Sequence, residues 1–313
     1  MSNDKAWAPE RRAPLPGVEY EEGEFGAVAS LTTTDVVQAI GLVKQGKVYD
    51  LDCGRWHAMP LMAVHPPFQV LTYRSASGMD VVGDMDEWRG ENPVHMAVNT
   101  EIIMGTTHTG THLDALYHIT CGDDNHAYGG YKNADHLGDF GPTKAEASSI
   151  APIITRGVLV DMTKTTGGQP LPAGYVVSLD EFLQVVQANR IEFKPGDAVL
   201  INTGWLTVWT ADADTQSKHD GAGISLEVAI YLADQGAVVV GADQGTVEAN
   251  PSPDPLNPHP VHIGLLVERG VHLLENAYLD DLARDQVTEF LFVCLPLRIR
   301  GATGSWVRPV AIV

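Results

Sequence analysis

One short stretch of this chain concentrates metal-binding chemistry to a degree that limits what the rest can be. The segment Met104-Gly-Thr-Thr-His-Thr-Gly-Thr-His-Leu-Asp-Ala-Leu-Tyr-His118 sets His108, His112, Asp114 and His118 within eleven residues. Imidazole and carboxylate are the groups that Zn²⁺ and similar divalent ions select, and a catalytic site needs only three of them, with a position left for water. Gly105 and Gly110 supply the backbone angles that a curled ligand loop needs, and Thr106, Thr107, Thr109 and Thr111 are placed to orient imidazoles. Any one of these histidines alone would read as a structural or surface residue; the four together read as a site. Thr109 follows His108, so this is not the pattern of helical zinc proteases, in which a general-base Glu lies between two His four apart.

The rest of the chain suits a soluble enzyme. Its 313 residues are 44% hydrophobic, enough for a sizeable core. With 20 basic against 40 acidic residues the formal charge is −20, which repels nucleic acid and anionic membranes and excludes both as partners. The three cysteines, Cys53, Cys121 and Cys294, form no CxxC pair, so neither a disulfide framework nor a thiolate zinc site is expected. The N-terminal residues carry no apolar signal segment, and no apolar run approaches the roughly 18 residues of a membrane span. A cytoplasmic setting is the expectation.

Residues 1–30, rich in Pro, Gly and Glu, read as an extended arm suited to a subunit contact or to packing on the body. Thr34 or Asp35 is expected to cap a helix with Val36, Ile40 and Val43 on one face, stopped by Gly46. Residues 47–105 read as strands and long loops, with turns at Pro66-Pro67, Ser77-Gly78 and Gly90. Val158–Met162 reads as a buried strand. Ser178 and Glu181 form a capping box, opening a helix with Leu179, Phe182, Leu183 and Val186 inward. Pro195-Gly196 turns into a strand at Ala198–Asn202. Ser225 caps a helix with Leu226, Ala229, Ile230 and Ala233 on one side, and Ala237–Val240 supplies the next strand. The last apolar run, Phe290–Ile299, contains Pro296 and is expected at a bulge or edge. The alternation of helix and strand implies an α/β fold, read as residues 1–47, an arm and helix, and a domain over 48–313.

The run HTGTHLDALYH resembles the signature of the putative cyclase family, whose members include bacterial kynurenine formamidase, isatin hydrolase and trans-dienelactone hydrolase. RGVLVDM (156–162), PGDAVLINTGW (195–205), VVGADQGTVE (239–248), HLLENAYLDDL (272–282) and LPLRIRGATGSWVRPVAIV (295–313) resemble family segments as well. The resemblance implies a single α/β domain of the swivelling β/β/α type, with a mixed sheet and flanking helices, in an oligomer of identical chains. It places the metal ligands on His108, His112 and Asp114 and the proton-transferring residue on His118. In two-metal members a later His and a Glu complete a second site; these fall on His262, with His259 as the alternative, and Glu275. Two departures stand out. Leu116 replaces a Pro of the family pattern, and the His262–Glu275 interval is one residue longer than in two-metal members, which favours a single tightly held ion.

The expected cofactor is Mn²⁺ or Zn²⁺, and the expected reaction is hydrolysis of a small amide, lactam or lactone by metal-activated water, with His118 serving the leaving group. A lyase or cyclase using the same ion, and a protein that binds metal or a carbonyl ligand without turnover, are the alternatives. No GxSxG elbow supports covalent catalysis. Trp56, His57 and Phe68 are candidates for a pocket wall, Gln244 for a contact to the metal, and Asp123-Asp124 for a solvated turn. His95, His126, His136 and His219 read as surface residues.

Overall fold

The computed structural model describes residues 4–8, 13, 15–62, 64–83, 94, 96–209 and 220–313. Strands are numbered here along the chain as β1 (Val48–Asp50), β2 (Gln69–Arg74), β3 (Thr100–Met104), β4 (His112–Asp114), β5 (Ile153–Asp161), β6 (Ala198–Asn202), β7 (Val239–Ala242), β8 (His272–Glu275), β9 (Glu289–Cys294), β10 (Gly304–Trp306) and β11 (Val310–Ile312). Among the described residues nine of them form one sheet in the order β1-β11-β9-β5-β6-β7-β8-β4-β10. Strands β5 to β8 run parallel at its centre, and antiparallel neighbours flank them on both sides. The central strands are apolar almost throughout because both faces of the sheet are covered. Along β6, Val199 and Ile201 enter one core cluster while Ala198 and Leu200 enter the other, the period-two alternation of a strand buried on both sides.

Helices α1 (Thr33–Ile40), α2 (Ala76–Val82), α3 (Leu179–Ala188) and α4 (Leu226–Asp234) follow their caps. The Ser178–Glu181 capping box is present as read from the sequence. Helix α1 begins two or three residues earlier than expected, because Thr32 rather than Thr34 or Asp35 caps it, with Asp35 bonding back to the cap. Its inward residue is Ala39, and Ile40 is exposed. The Ser77-Gly78 turn signal lies inside α2, whose cap is Ser75. In α4 the buried face is Val228, Ala229 and Leu232, not the face marked by Leu226. Strand β7 starts two residues later than expected. The last apolar run leaves the sheet at Cys294, before Pro296, so β9 sits between β5 and β11 as an interior strand. Gly90, His95 and His219 lie outside the described residues.

The N-terminal arm packs on its own chain: Phe25 and Val28 are buried, and the Tyr20 hydroxyl lies 2.9 Å from Ser148 Oγ. Strands β2 and β3 form a separate ribbon whose Leu71, Tyr73, Ile102, Ile103 and Met104 are exposed. Among the described residues, no helix is long and apolar enough to cross a membrane.

The carboxyl ends of β5, β6 and β7 form a polar row. Asp161 and Asn202 stand opposite each other, and Asp243 follows β7 directly, beyond the Ala242–Ile201 pair. Thr203 N–H and Oγ1 donate to Asp243 Oδ1 at 2.9 and 2.7 Å, and Asn202 Nδ2 donates to Asp161 Oδ1 at 3.0 Å. Asp243 Oδ2 and Asn202 Oδ1 are buried with no hydrogen-bond partner among the described residues.

Candidate metal centre

His112, Leu113 and Asp114 make up β4, so alternation along a strand sends His112 and Asp114 to one face and Leu113 into the core. The ladder with β8 sets Glu275 directly across from His112. His108 reaches the same place from the preceding loop, which turns at Gly110 with φ of +60°. Room for its ring comes from Gly304: a Cβ there would stand 2.7 Å from His108 Cε1. The loop is fastened by its backbone. Arg55 Nε donates to Thr109 C=O at 2.9 Å, and the hydroxyls of Thr109 and Thr111 donate to Thr106 C=O and Asn276 C=O. These threonines hold the chain and not the imidazoles; the hydroxyl beside the His108 ring belongs to Thr303, 2.9 Å from Nε2.

His262 arrives from the other side. Pro260–His262 form one helical turn that runs into a π-turn, Ile263–Val267, where Glu268 N–H reaches Ile263 C=O at 3.1 Å. An i→i+5 turn absorbs one residue that an α-turn would not. Across this turn His262 Nε2 lies 3.2 Å from Glu275 Oε1.

All six residues singled out in the sequence meet here. His108 Nδ1 lies 2.9 Å and His112 Nε2 3.5 Å from Asp114 Oδ1; His112 Nε2 lies 3.2 Å from Glu275 Oε2; His262 Nε2 lies 3.7 Å from Asp114 Oδ2. The His118 ring stacks on His108 at 3.8 Å between centroids. Tautomers follow from the outer partners: His112 Nδ1 donates to Gly110 C=O at 2.8 Å, and His262 Nδ1 donates to the Glu248 carboxylate. Their Nε2 lone pairs thus face the carboxylates. His108 Nδ1, His112 Nε2, both Asp114 oxygens and Glu275 Oε1 are buried with no hydrogen-bond partner among the described residues. Acceptors turned on acceptors, each costing about 1–3 kcal/mol when left unpaired, fit a cation between them. His108, Asp114 and His118, and His112, Asp114 and Glu275, each form a compact ligand-type cluster.

Without a cation, protons on the Nε2 atoms of His112 and His262 take its place and bond to Glu275. Burial, then the nearby His112, holds His108 well below the usual imidazole range. Burial opposes charge on Glu275, yet hydrogen bonds from His112 and His262 hold its carboxyl well below the carboxylate range. Burial likewise opposes charge on His262, and Glu248 and Glu275 raise it well above its ordinary value. Asp114 is raised by burial and by the Glu275 charge. His118 is pushed down to about 3, chiefly by burial, so it is a neutral imidazole at pH 7.

A pocket of about 240 Å³ opens over His108, His112, His118, His262 and Glu275. Its apolar wall is Pro60, Leu61, Met62, Val64 and Ile119, not the expected Trp56, His57 and Phe68. Phe68 is buried with Met59, Trp205 and Leu206, and Trp56 and His57 are exposed. Gln244 does not reach the cluster either: its amide donates to Glu248 C=O and accepts from Thr246 N–H, tying its own loop. Asp123 and Asp124 lie on an exposed turn, with Asp124 paired to His126 and Lys132. Three residues that support the site escaped the sequence reading: Glu248, Thr303 and Gly304. Glu248 lies inside a segment already singled out, but no ligand spacing marks it.

A mixed α/β domain thus gathers, beside one strand pair of its sheet, buried imidazoles and carboxylates of the kind that could hold a metal ion. The chain belongs to the Putative cyclase family, which it matches over residues 50–249. A crystal structure described as a novel cyclase shares 26% identity and a TM-score of 0.79, over 93% of this chain and 97% of that one. An isatin hydrolase bound to the product analogue thioisatinate shares 17% identity, with a TM-score of 0.61 over 90% and 99% of the two chains. Isatin hydrolase A from Labrenzia aggregata, bound to benzyl benzoate, shares 17% identity, with a TM-score of 0.62 over 90% and 98%. No curated protein matches the chain.

Proposed function

We propose that this protein is a metal-dependent hydrolase that opens a small amide, lactam or lactone. The observation that carries this reading is the set of unpartnered buried acceptors converging on the inner end of one small pocket. His108 and His112 address Asp114 Oδ1, and His262 Nε2 lies toward Asp114 Oδ2 and Glu275 Oε1. The cluster thus offers two positions that share Asp114, suited to Mn²⁺ or Zn²⁺. A divalent ion held there supplies Lewis-acid activation of a carbonyl group and of water. His118 lines the pocket beside His108; as a neutral imidazole it accepts a proton from the attacking water and returns it to the leaving nitrogen or oxygen. The apolar wall excludes bulk water and receives the non-reacting part of the substrate. The volume lies below the roughly 300–1,000 Å³ of drug-sized pockets, so the substrate is small.

The exposed apolar ribbon β2–β3 supports a homo-oligomer, and the three free cysteines suit a reducing, cytoplasmic setting. The decisive experiment joins elemental analysis to a substrate panel of lactams, lactones and amides in isotope-labelled water. Asp114→Ala is expected to lose bound metal. Full metal content in that variant, or a turned-over substrate that gains no solvent oxygen, would overturn the proposal.

A further inference from the structure

Glu248 is buried and accepts three hydrogen bonds. Its Oε2 takes Val261 N–H at 2.5 Å, and its Oε1 takes Nδ1 of both His262 and His259, the latter at 3.2 Å. A carboxylate can only accept, so both imidazoles donate at Nδ1. The consequence differs for the two rings. His262 turns its Nε2 onto the acidic cluster. His259 lines the pocket, its side chain 31% exposed and its ring centre 5.2 Å from that of His262. In its neutral form it presents Nε2, an acceptor with a fixed tautomer.

We propose that His259 selects for a scissile amide over the corresponding ester by accepting a hydrogen bond from the substrate's N–H. This inference rests on the hydrolase reading above and names the substrate class for that site. The geometry that favours it is local. A carbonyl addressed by the cluster carries its nitrogen or oxygen substituent one bond from the reacting carbon, and His259 stands one ring away from His262. An amide N–H there meets a lone pair. A lactone ring oxygen meets lone pair with lone pair, and neither group is satisfied. Sites that hydrogen-bond a donor discriminate strongly against analogues lacking it. At a half-exposed imidazole, where water can partly substitute, the expected discrimination is roughly 10- to 100-fold.

The test uses the metal-loaded full chain with 2-oxindole and its lactone isostere 2-coumaranone, each kcat/KM divided by the uncatalysed rate constant. Wild-type enhancement is expected to be roughly tenfold or more greater for the lactam. His259→Phe keeps the ring and removes the acceptor, and should abolish that ratio while metal per chain stays at the wild-type level. His259→Gln restores both a donor for Glu248 and an acceptor for the substrate, and should retain part of the ratio. A ratio unchanged in His259→Phe, a wild-type preference for the lactone, or loss of metal in either variant would overturn the inference. A wild-type protein that opens neither compound removes the hydrolase reading for this pair, and the inference with it.

Discussion

Asp243 offers a quantitative test of the polar row at the carboxyl ends of β5, β6 and β7. Its carboxyl is 1% exposed. Burial pushes it up to about 7, with the Asp280 charge adding to the effect and hydrogen bonds from Thr203 opposing it. The unfolded chain releases this proton near pH 3.8, and the folded chain keeps it until about pH 7. Stability from this group is therefore full below the unfolded value and falls as pH rises between the two, because the folded state binds the extra proton. At roughly 1.4 kcal/mol per unit, the two units between pH 5 and 7 amount to about 3 kcal/mol. Asp243→Asn removes the titration and keeps an acceptor for Thr203. It also supplies an N–H donor in the polar row that contains Asn202 Oδ1, a buried acceptor with no hydrogen-bond partner among the described residues. Chemical denaturation of both proteins at pH 5 and pH 8.5 should show the variant gaining about 3 kcal/mol relative to wild type at the higher pH. Comparing the two proteins cancels contributions from the metal cluster. A difference that does not change with pH would refute the reasoning, since the folded Asp243 would then titrate like an exposed carboxylate.

Two further outcomes follow from the centre itself. His118→Ala should retain the metal by elemental analysis and lose roughly 10²–10⁴-fold in kcat, with a smaller loss on substrates carrying good leaving groups; loss of the metal would make His118 a ligand, and unchanged activity would remove it from the chemistry. Gly304→Ala places a Cβ 2.7 Å from His108 Cε1, so isothermal titration of the apoprotein should show metal binding weakened by roughly tenfold or more, the scale of a displaced supporting contact; wild-type affinity would mean that the ring is free to move.

The fold class and the clustering of the candidate ligands were legible in the sequence, the helix faces and the pocket wall less so. His108, His112, Asp114 and His118 could be read together because one short loop and one strand carry them, and ligand spacing survives as a local pattern. His262 and Glu275 came only through resemblance, since their meeting with β4 depends on the order β7-β8-β4. Glu248 and Thr303 left no local mark, because each acts on a histidine distant in sequence. Helix faces were misassigned where apolar residues lie on more than one side: Ile40 and Leu226 are as apolar as their buried neighbours, and tertiary packing alone decided which turned inward. The expected pocket wall of Trp56, His57 and Phe68 failed for a related cause. Aromatic residues drew attention to Trp56 and Phe68, while the pocket is walled by the smaller residues between them.

The π-turn after His262 gives the metal centre a tolerance that its ligands do not have. In an α-helix each added residue rotates everything beyond it by about 100°, so a single insertion would carry His262 or Glu275 off the cluster. The wider loop at Ile263–Val267 takes up that rotation within one turn, and β8 resumes in register with β4. The two residues are thus brought together across a connection that contains a residue more than an α-turn would hold. The length of this interval is accordingly a record of how the connecting turn is wound, and it does not fix how many ions the cluster could hold.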